Sequence, residues 1–422
     1  MSSFLTGLAG DLRAGHPRGV TSVCSSHPIV IRAALRRAVL DESDVLIEAT
    51  CNQVNQFGGY TGMQPADFVR FVLQIADEEG LAPARIVFGG DHLGPNPWKG
   101  DAPEAAMEKA EAMVEAYVAA GFRKIHLDAS MGCLGEPVAL DDETTAGRAA
   151  RLASRADAVA REKGLPLPLY IIGTEVPVPG GADHALSDLQ PTAPEAARHT
   201  IEVHRRIFAE RGLDGVFERV LGVVVQPGVE FGSENVIPYH PENASLLNAV
   251  LEEEPKLVFE AHSTDYQSQA ALTALVRDGY AILKVGPGLT FALREALYGL
   301  DLVASELEPT YGDRPLRAAM EHLMLREPKD WKGHYHGTDA EQALQRHYSY
   351  SDRIRYYWNR PEAEAAVARL RDALDGRVIP ETLMRQFLPF LDVGLGQTGS
   401  VDDILIASVD RELATYAAAC RA

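Results

Sequence analysis

No stretch of this 422-residue chain approaches the roughly 20 consecutive apolar residues a membrane helix needs. The first twenty residues carry Asp11, Arg13, His16 and Arg18 and no long apolar core, so they do not read as a signal peptide. Cysteine is scarce. Cys24, Cys51, Cys133 and Cys420 are scattered, with neither CxxC spacing nor the density of a disulfide scaffold, and a reducing cytoplasm is the simplest home. Basic residues are the minority, 40 against 60 acidic, for a formal net charge of −20. That balance argues against nucleic-acid and anionic-membrane partners, yet leaves room for a locally positive pocket. No GxxxxGKS/T, GxSxG or HExxH motif occurs. The one GxGxxG match, Gly394 to Gly399, has too little chain after it for a dinucleotide-binding unit and reads as a turn.

What is present is ordinary globular composition, 46% hydrophobic, enough for a large core. Short β-branched runs recur at Gly19–Val23, Val45–Glu48, Ile86–Gly90, Lys124–Asp128, Leu169–Gly173, Leu221–Gln226, Leu257–His262 and Ile282–Val285. They lack strict apolar–polar alternation, as strands buried on both faces do. A helical stretch follows most of them. In one, Asp101 is placed to cap, Pro103 sits in the first turn, and Ala106, Met107, Ala110, Met113, Val114, Tyr117 and Val118 form an apolar stripe. Eight strands alternating with helices predict an α/β fold, a (β/α)8 TIM barrel over residues 1–300, with a doubly wound open sheet as the competing arrangement. The pattern fades near Gly299. Residues 301–422 predict a mostly helical C-terminal extension packed on the barrel, carrying the aromatic and basic stretch Tyr348–Trp358.

In a barrel the strand ends converge on one mouth, and here most runs end in polar residues. Asp91-His92 follows the third run among glycines 89, 90 and 94, which would let a ligand approach the backbone closely. His262 ends the seventh, with Glu260 two residues earlier on the same face. Two imidazoles from different strands plus carboxylates make a metal site with open positions. Asp128 and Glu175 follow the fourth and fifth runs and are candidate ligands or acid–base groups; His126, facing with Asp128, reads as a core histidine. Lys284 precedes a glycine-rich turn feeding a helix. Ser263, Thr264, Gly286 and Gly288 are therefore candidates to hold a phosphate, and Lys284 either pairs with it or forms a Schiff base. Asn52, Gln53, Asn55 and Gln56 offer amides suited to sugar hydroxyls.

The segments Ile47 to Met63, Gly89-Gly-Asp-His-Leu-Gly-Pro-Asn96, Gly173-Thr-Glu-Val-Pro-Val-Pro-Gly-Gly181, Val225-Gln-Pro-Gly-Val-Glu-Phe231, Glu260-Ala-His-Ser-Thr-Asp-Tyr-Gln267 and Ser351-Asp-Arg-Ile-Arg-Tyr-Tyr-Trp358 resemble the GatZ/KbaZ family over nearly the whole chain. That family is named for the non-catalytic subunit of D-tagatose-1,6-bisphosphate aldolase, and some members are stand-alone D-tagatose 6-phosphate 4-epimerases. It is similar in turn to zinc-dependent class II aldolases, whose Asp-His pair Asp91-His92 matches. Their metal-binding histidine before a phosphate loop resembles His262-Ser263-Thr264, and their last strand resembles Lys284-Val-Gly with Thr290 and Arg294. Those aldolases have a further zinc histidine after strand six, where this chain has Gln226-Pro-Gly-Val-Glu230. The resemblance therefore implies that a divalent metal, zinc by analogy, either recruits Glu175, Gln226 or Glu230 beside His92 and His262 or is held more weakly.

The expected function is a ketose-phosphate 4-epimerase working by metal-assisted retro-aldol and aldol chemistry, with Asp91 or Glu175 carrying the proton. The alternative is a non-catalytic subunit that stabilises a separate class II aldolase. The expected partners are a phosphorylated ketohexose, further copies of the chain in a homo-oligomer, and in the second case the aldolase. Arg353 and Arg355 read as surface or packing residues in preference to phosphate ligands.

Overall fold

The computed structural model describes residues 3–173 and 189–421. Eight parallel strands close into a barrel: β1 (Val20–Cys24), β2 (Val45–Thr50), β3 (Ile86–Leu93), β4 (Lys124–Leu127), β5 (Leu169–Ile172), β6 (Val220–Val224), β7 (Val258–Ala261) and β8 (Tyr280–Val285). Strands consecutive along the chain are neighbours in the sheet, and β1 pairs with β8 to close it. All eight runs read from the sequence are on strands. They are mostly apolar because one face meets the outer helices and the other fills the barrel. A small hairpin, Glu230–Phe231 with Val236–Ile237, follows β6. Among the described residues, no helix is long and apolar enough to cross a membrane.

Three details differ from expectation. The third strand continues to Leu93, and its register with β4 shifts between Gly90 and Leu93. Consecutive side chains of a regular strand face opposite ways; a bulge lifts that rule locally. Asp91 and His92 sit in this irregularity. Its glycines leave room for the protein's own groups, not for a ligand. A Cβ on Gly89 would stand 2.3 Å from Glu48 Oε1, and one on Gly94 would stand 1.6 Å from the Asp128 carbonyl oxygen. The helix after β3, Pro103–Ala119, buries the predicted stripe, but Ala102 holds the cap position and Asp101 instead accepts from Lys109 Nζ at 2.7 Å.

The helix after β8 runs Pro287–Leu307, so residue 300 lies within it. Beyond it come further helices, including Pro315–Arg326, Asp339–Tyr348 and Pro361–Leu374, and finally Val401–Arg421. That last helix packs on Pro28–Leu40, Gln269–Arg277, Pro287–Leu307 and β1, so it stands among the barrel's outer helices. Its end is tied back to the start of the barrel, the Gly19 amide donating to the Cys420 carbonyl at 2.8 Å. The GxGxxG match forms a single helical turn, Leu395–Thr398.

Candidate active site

Asp91, His92, His126 and His262 each bring one ligand atom to a cluster whose atoms all lie within 4.8 Å of one another. The two imidazoles expected to meet do so, their ring centroids 4.9 Å apart. His126 is a third imidazole, 4.9 Å from His92 and 5.3 Å from His262. Sequence reasoning missed it because one histidine in an apolar run reads as core; the usable signal was its pleat-mate Asp128, which points to the same mouth.

Two of the rings are oriented by carboxylates, the arrangement that fixes tautomers at metal centres. His92 Nδ1 donates to Asp128 Oδ2 at 2.8 Å, which leaves Nε2 as its basic nitrogen. His262 Nε2 donates to Glu260 Oε1 at 2.9 Å, which leaves Nδ1. His126 Nε2 donates to the Gly173 carbonyl at 2.9 Å, and its Nδ1 accepts the His92 amide at 3.2 Å. Asp91 Oδ1 stands 3.1 Å from that same Nδ1. Two acceptors facing each other are relieved by a shared proton or a cation. His92 and Ser263 hold left-handed backbone angles, φ 49° and 51°, a strain that clusters at functional sites.

Beneath the imidazoles lies a buried chain of charge. His262 leads to Glu260, whose Oε2 pairs with Lys124 at 2.7 Å. Lys124 also pairs with Glu48 Oε1 at 2.7 Å, and Lys284 joins Glu48 to Asp91 Oδ2, the latter at 2.6 Å. Burial pushes the Glu48 and Glu260 carboxyls up, but the two lysines overcome it and hold both below their ordinary values. Asp91 is held well below the usual range in the same way, by His92 and Lys284 against burial. Burial lowers His262 to about 4, so it is neutral near pH 7. Burial also lowers His92, but Asp91 and Asp128 outweigh it and raise its proton affinity. Among the described residues, Glu48, Asp91, Asp128 and Glu260 thus face Lys124 and Lys284, which leaves two negative charges uncompensated when the imidazoles are neutral. Buried net charge is costly, and a divalent cation would cancel it. Donor set and charge both fit such an ion.

The other candidates fall into two groups. Asn52, Gln53, Ser263, Lys284 and Gly286 line the cavity that holds the cluster. Lys284, saturated by Glu48 and Asp91, is available neither to a phosphate nor as a free amine for a Schiff base. The glycine turn is also occupied: Asp265 Oδ1 accepts the amides of Gly286 at 3.0 Å and Gly288 at 2.7 Å, where a phosphate was expected. Thr264 faces away, its hydroxyl donating to the Lys284 carbonyl at 2.6 Å beside Tyr416. Gln226 and Glu230 do not join the cluster. Gln226 Oε1 accepts the Gly228 and Val229 amides at 2.8 and 2.9 Å, closing its own turn. Glu230 accepts the Phe231 amide at 2.9 Å, and burial pushes its carboxyl up to about 7. Glu175 lies outside the described residues. Arg355 and Tyr356, from the C-terminal region, line the same cavity, contrary to the packing role expected of Arg355; Arg353 turns away to the Asp330 carbonyl.

Fold and site together define a (β/α)8 barrel with a buried imidazole–carboxylate centre at its mouth whose donors could hold a metal ion. Residues 5–421 match the family described as D-tagatose-1,6-bisphosphate aldolase subunit GatZ/KbaZ-like, and the chain belongs to that family. It is 65% identical over 419 residues, 99% of each chain, to the D-tagatose 6-phosphate 4-epimerase of Agrobacterium fabrum (strain C58 / ATCC 33970). It is also similar to the solved structure described as a probable tagatose 6 phosphate kinase from Sinorhizobium meliloti 1021. That match has a TM-score of 0.88 and 55% identity, covering 96% of this chain and 100% of that one.

Proposed function

We propose that this protein interconverts D-tagatose 6-phosphate and D-fructose 6-phosphate by epimerisation at C4. The observation that carries the reading is the meeting of Asp91, His92, His126 and His262 at one point of the mouth. The activity named for the 65% identical relative supports it. His92 and His262 would hold a divalent cation, zinc by the chemistry of the donors, with His126 completing the imidazole set; when bound, that ion polarises the ketone and its neighbouring hydroxyl.

The chain's own groups do the rest. Asp91, kept ionised by Lys284, accepts the proton of the C4 hydroxyl. The C3–C4 bond breaks, its electron pair passing toward the C2 carbonyl to give an enediolate, while C4 becomes an aldehyde. The cavity walls retain both fragments. The aldehyde turns its other face, the enediolate re-forms the bond, and Asp91 returns the proton to the C4 oxygen. Atoms and protons balance, and only the configuration at C4 changes. The Glu260–Lys124–Glu48–Lys284 chain fixes His262 and Asp91 throughout.

The family description also names an aldolase subunit. The two readings separate in one assay: the purified chain, loaded with zinc, given tagatose 6-phosphate. Formation of fructose 6-phosphate by the chain alone is the expected result. No product at any metal loading, with a rise in the activity or thermal stability of an added class II aldolase, replaces the epimerase by the subunit.

A further inference from the structure

We propose that Arg355, carried by the C-terminal segment, is the anion subsite of the cavity, and that the Asp265 carboxylate closes the glycine turn to phosphate. The anion's identity, a phosphate monoester, rests on the sugar-phosphate reading above; the charge argument does not.

The case begins with the cations of the cavity wall. Lys284 is neutralised by two carboxylates. His27, whose Nδ1 accepts the Ile29 amide at 3.2 Å, is driven down to about 4 by burial, and His262 Nε2 faces Glu260 Oε1 at 2.9 Å. His92 faces Asp91 and Asp128. Arg355 differs from all of them. Its guanidinium donates to the uncharged Ser351 and Asp352 carbonyls and, at 2.8 Å, to the Tyr356 hydroxyl, while the Asp352 and Asp265 carboxylates act on it only through space. An arginine cannot lose its proton here, so this fixed charge stays on the wall whatever the pH.

The segment is built to hold it there. Asp352, at φ 45°, begins the short helical turn Arg353–Tyr357. Its carboxylate accepts Thr290 Oγ1 at 2.7 Å and Arg294 Nε at 3.1 Å, both from the helix Pro287–Leu307. Thr290 and Arg294 are thereby spent on anchoring the segment. Arg355 lies over the Tyr356 ring at 4.4 Å, and that ring meets Tyr60 edge-on with centroids 4.9 Å apart. Asn359 adds a bond to the Tyr60 carbonyl at 3.2 Å. A charged fork fixed on three sides loses little freedom on gripping a phosphate.

The glycine turn works the other way. Asp265 Oδ1 already takes the two amides that would cradle an anion, and the fit is close: a Cβ on Gly288 would stand 3.1 Å from that oxygen. A phosphate approaching it would meet a buried carboxylate.

The test compares the zinc-loaded full chain with Arg355→Gln, Arg355→Lys and Asp265→Asn. Calorimetry with inorganic phosphate is run beside steady-state kinetics on tagatose 6-phosphate. Arg355→Gln is expected to weaken phosphate binding and raise KM by about 10- to 100-fold, with kcat little changed. Arg355→Lys should fall between, and serves as the readout if the glutamine variant melts early. Asp265→Asn should leave Arg355-dependent binding intact. Unchanged phosphate binding and KM in Arg355→Gln overturns the assignment. So does a gain of phosphate affinity in Asp265→Asn that survives in the Arg355→Gln background, because it places the anion at the turn. If the chain binds phosphate through Arg355 yet turns over no sugar, the epimerase reading falls and the subsite stands.

Discussion

The two ends of the barrel interior are made from the same strands and the same strand face, yet they have opposite chemistry. At one end Val20, Leu46, Ile171, Val224, Val258 and Ile282 form a dry plug, covered by Leu5 and Leu8 of the N-terminal helices. One pleat further along, Leu46 gives way to Glu48, Val258 to Glu260 and Ile282 to Lys284, and Lys124 joins them from β4. Another pleat brings His126 and His262. The first layer is held by dispersion and water exclusion, which are non-directional. The second is held by charge in fixed geometry, which is directional and fails badly when one member is removed. A catalytic centre needs the second kind beneath it, because its rings must point, not merely pack.

That contrast can be broken layer by layer. The largest effect is expected from Lys124→Met, which removes the cation shared by Glu48 and Glu260; stability in urea should fall by about 3–5 kcal/mol. Glu230 sharpens the picture from outside both layers. Its carboxyl ionises near 4.5 when unfolded but near 7 when folded. As pH rises between those values the unfolded chain sheds a proton that the folded chain keeps. Stability therefore declines through that window by roughly 3 kcal/mol in all and is level above it. Glu230→Gln should abolish that decline, melting later than the parent at pH 8 and together with it at pH 4. Asp91→Asn, in the imidazole layer, should cost at least about 100-fold in kcat/KM. The smallest effect belongs to the plug: Ile282→Val should cost about 1 kcal/mol and leave kcat unchanged.

The barrel was legible because its strands are buried on both faces, and so mostly apolar, and are punctuated by helices with clear stripes. Boundaries were less so. Nothing local distinguishes Ala102 from Asp101 as a cap, since that depends on Asp101 finding Lys109. Asp91, His92 and His262 were readable because strand ends converge in a barrel. Gln226 and Glu230 were misplaced as ligands because a strand end says where a residue starts, not where its side chain finds a partner. The same limit hid Asp265 in the glycine turn and Arg355 on the cavity wall. The contacts that place them cross the fold: 21 residues separate Asp265 from Gly286, and 58 separate Asp352, which anchors the Arg355 turn, from Arg294.

The placing of the C-terminal region has a consequence for biosynthesis. All eight strands have been made by Val285, but the turn bearing Arg355 and the helix Val401–Arg421, which shelters β1 and the helices Pro28–Leu40 and Pro287–Leu307, leave the ribosome later. At typical elongation rates the delay is on the order of ten seconds. During that interval the nascent barrel presents greasy helix flanks to the cell, which makes it a natural client for chaperones. A message cut short there would yield the eight strands without Arg355 or the last helix.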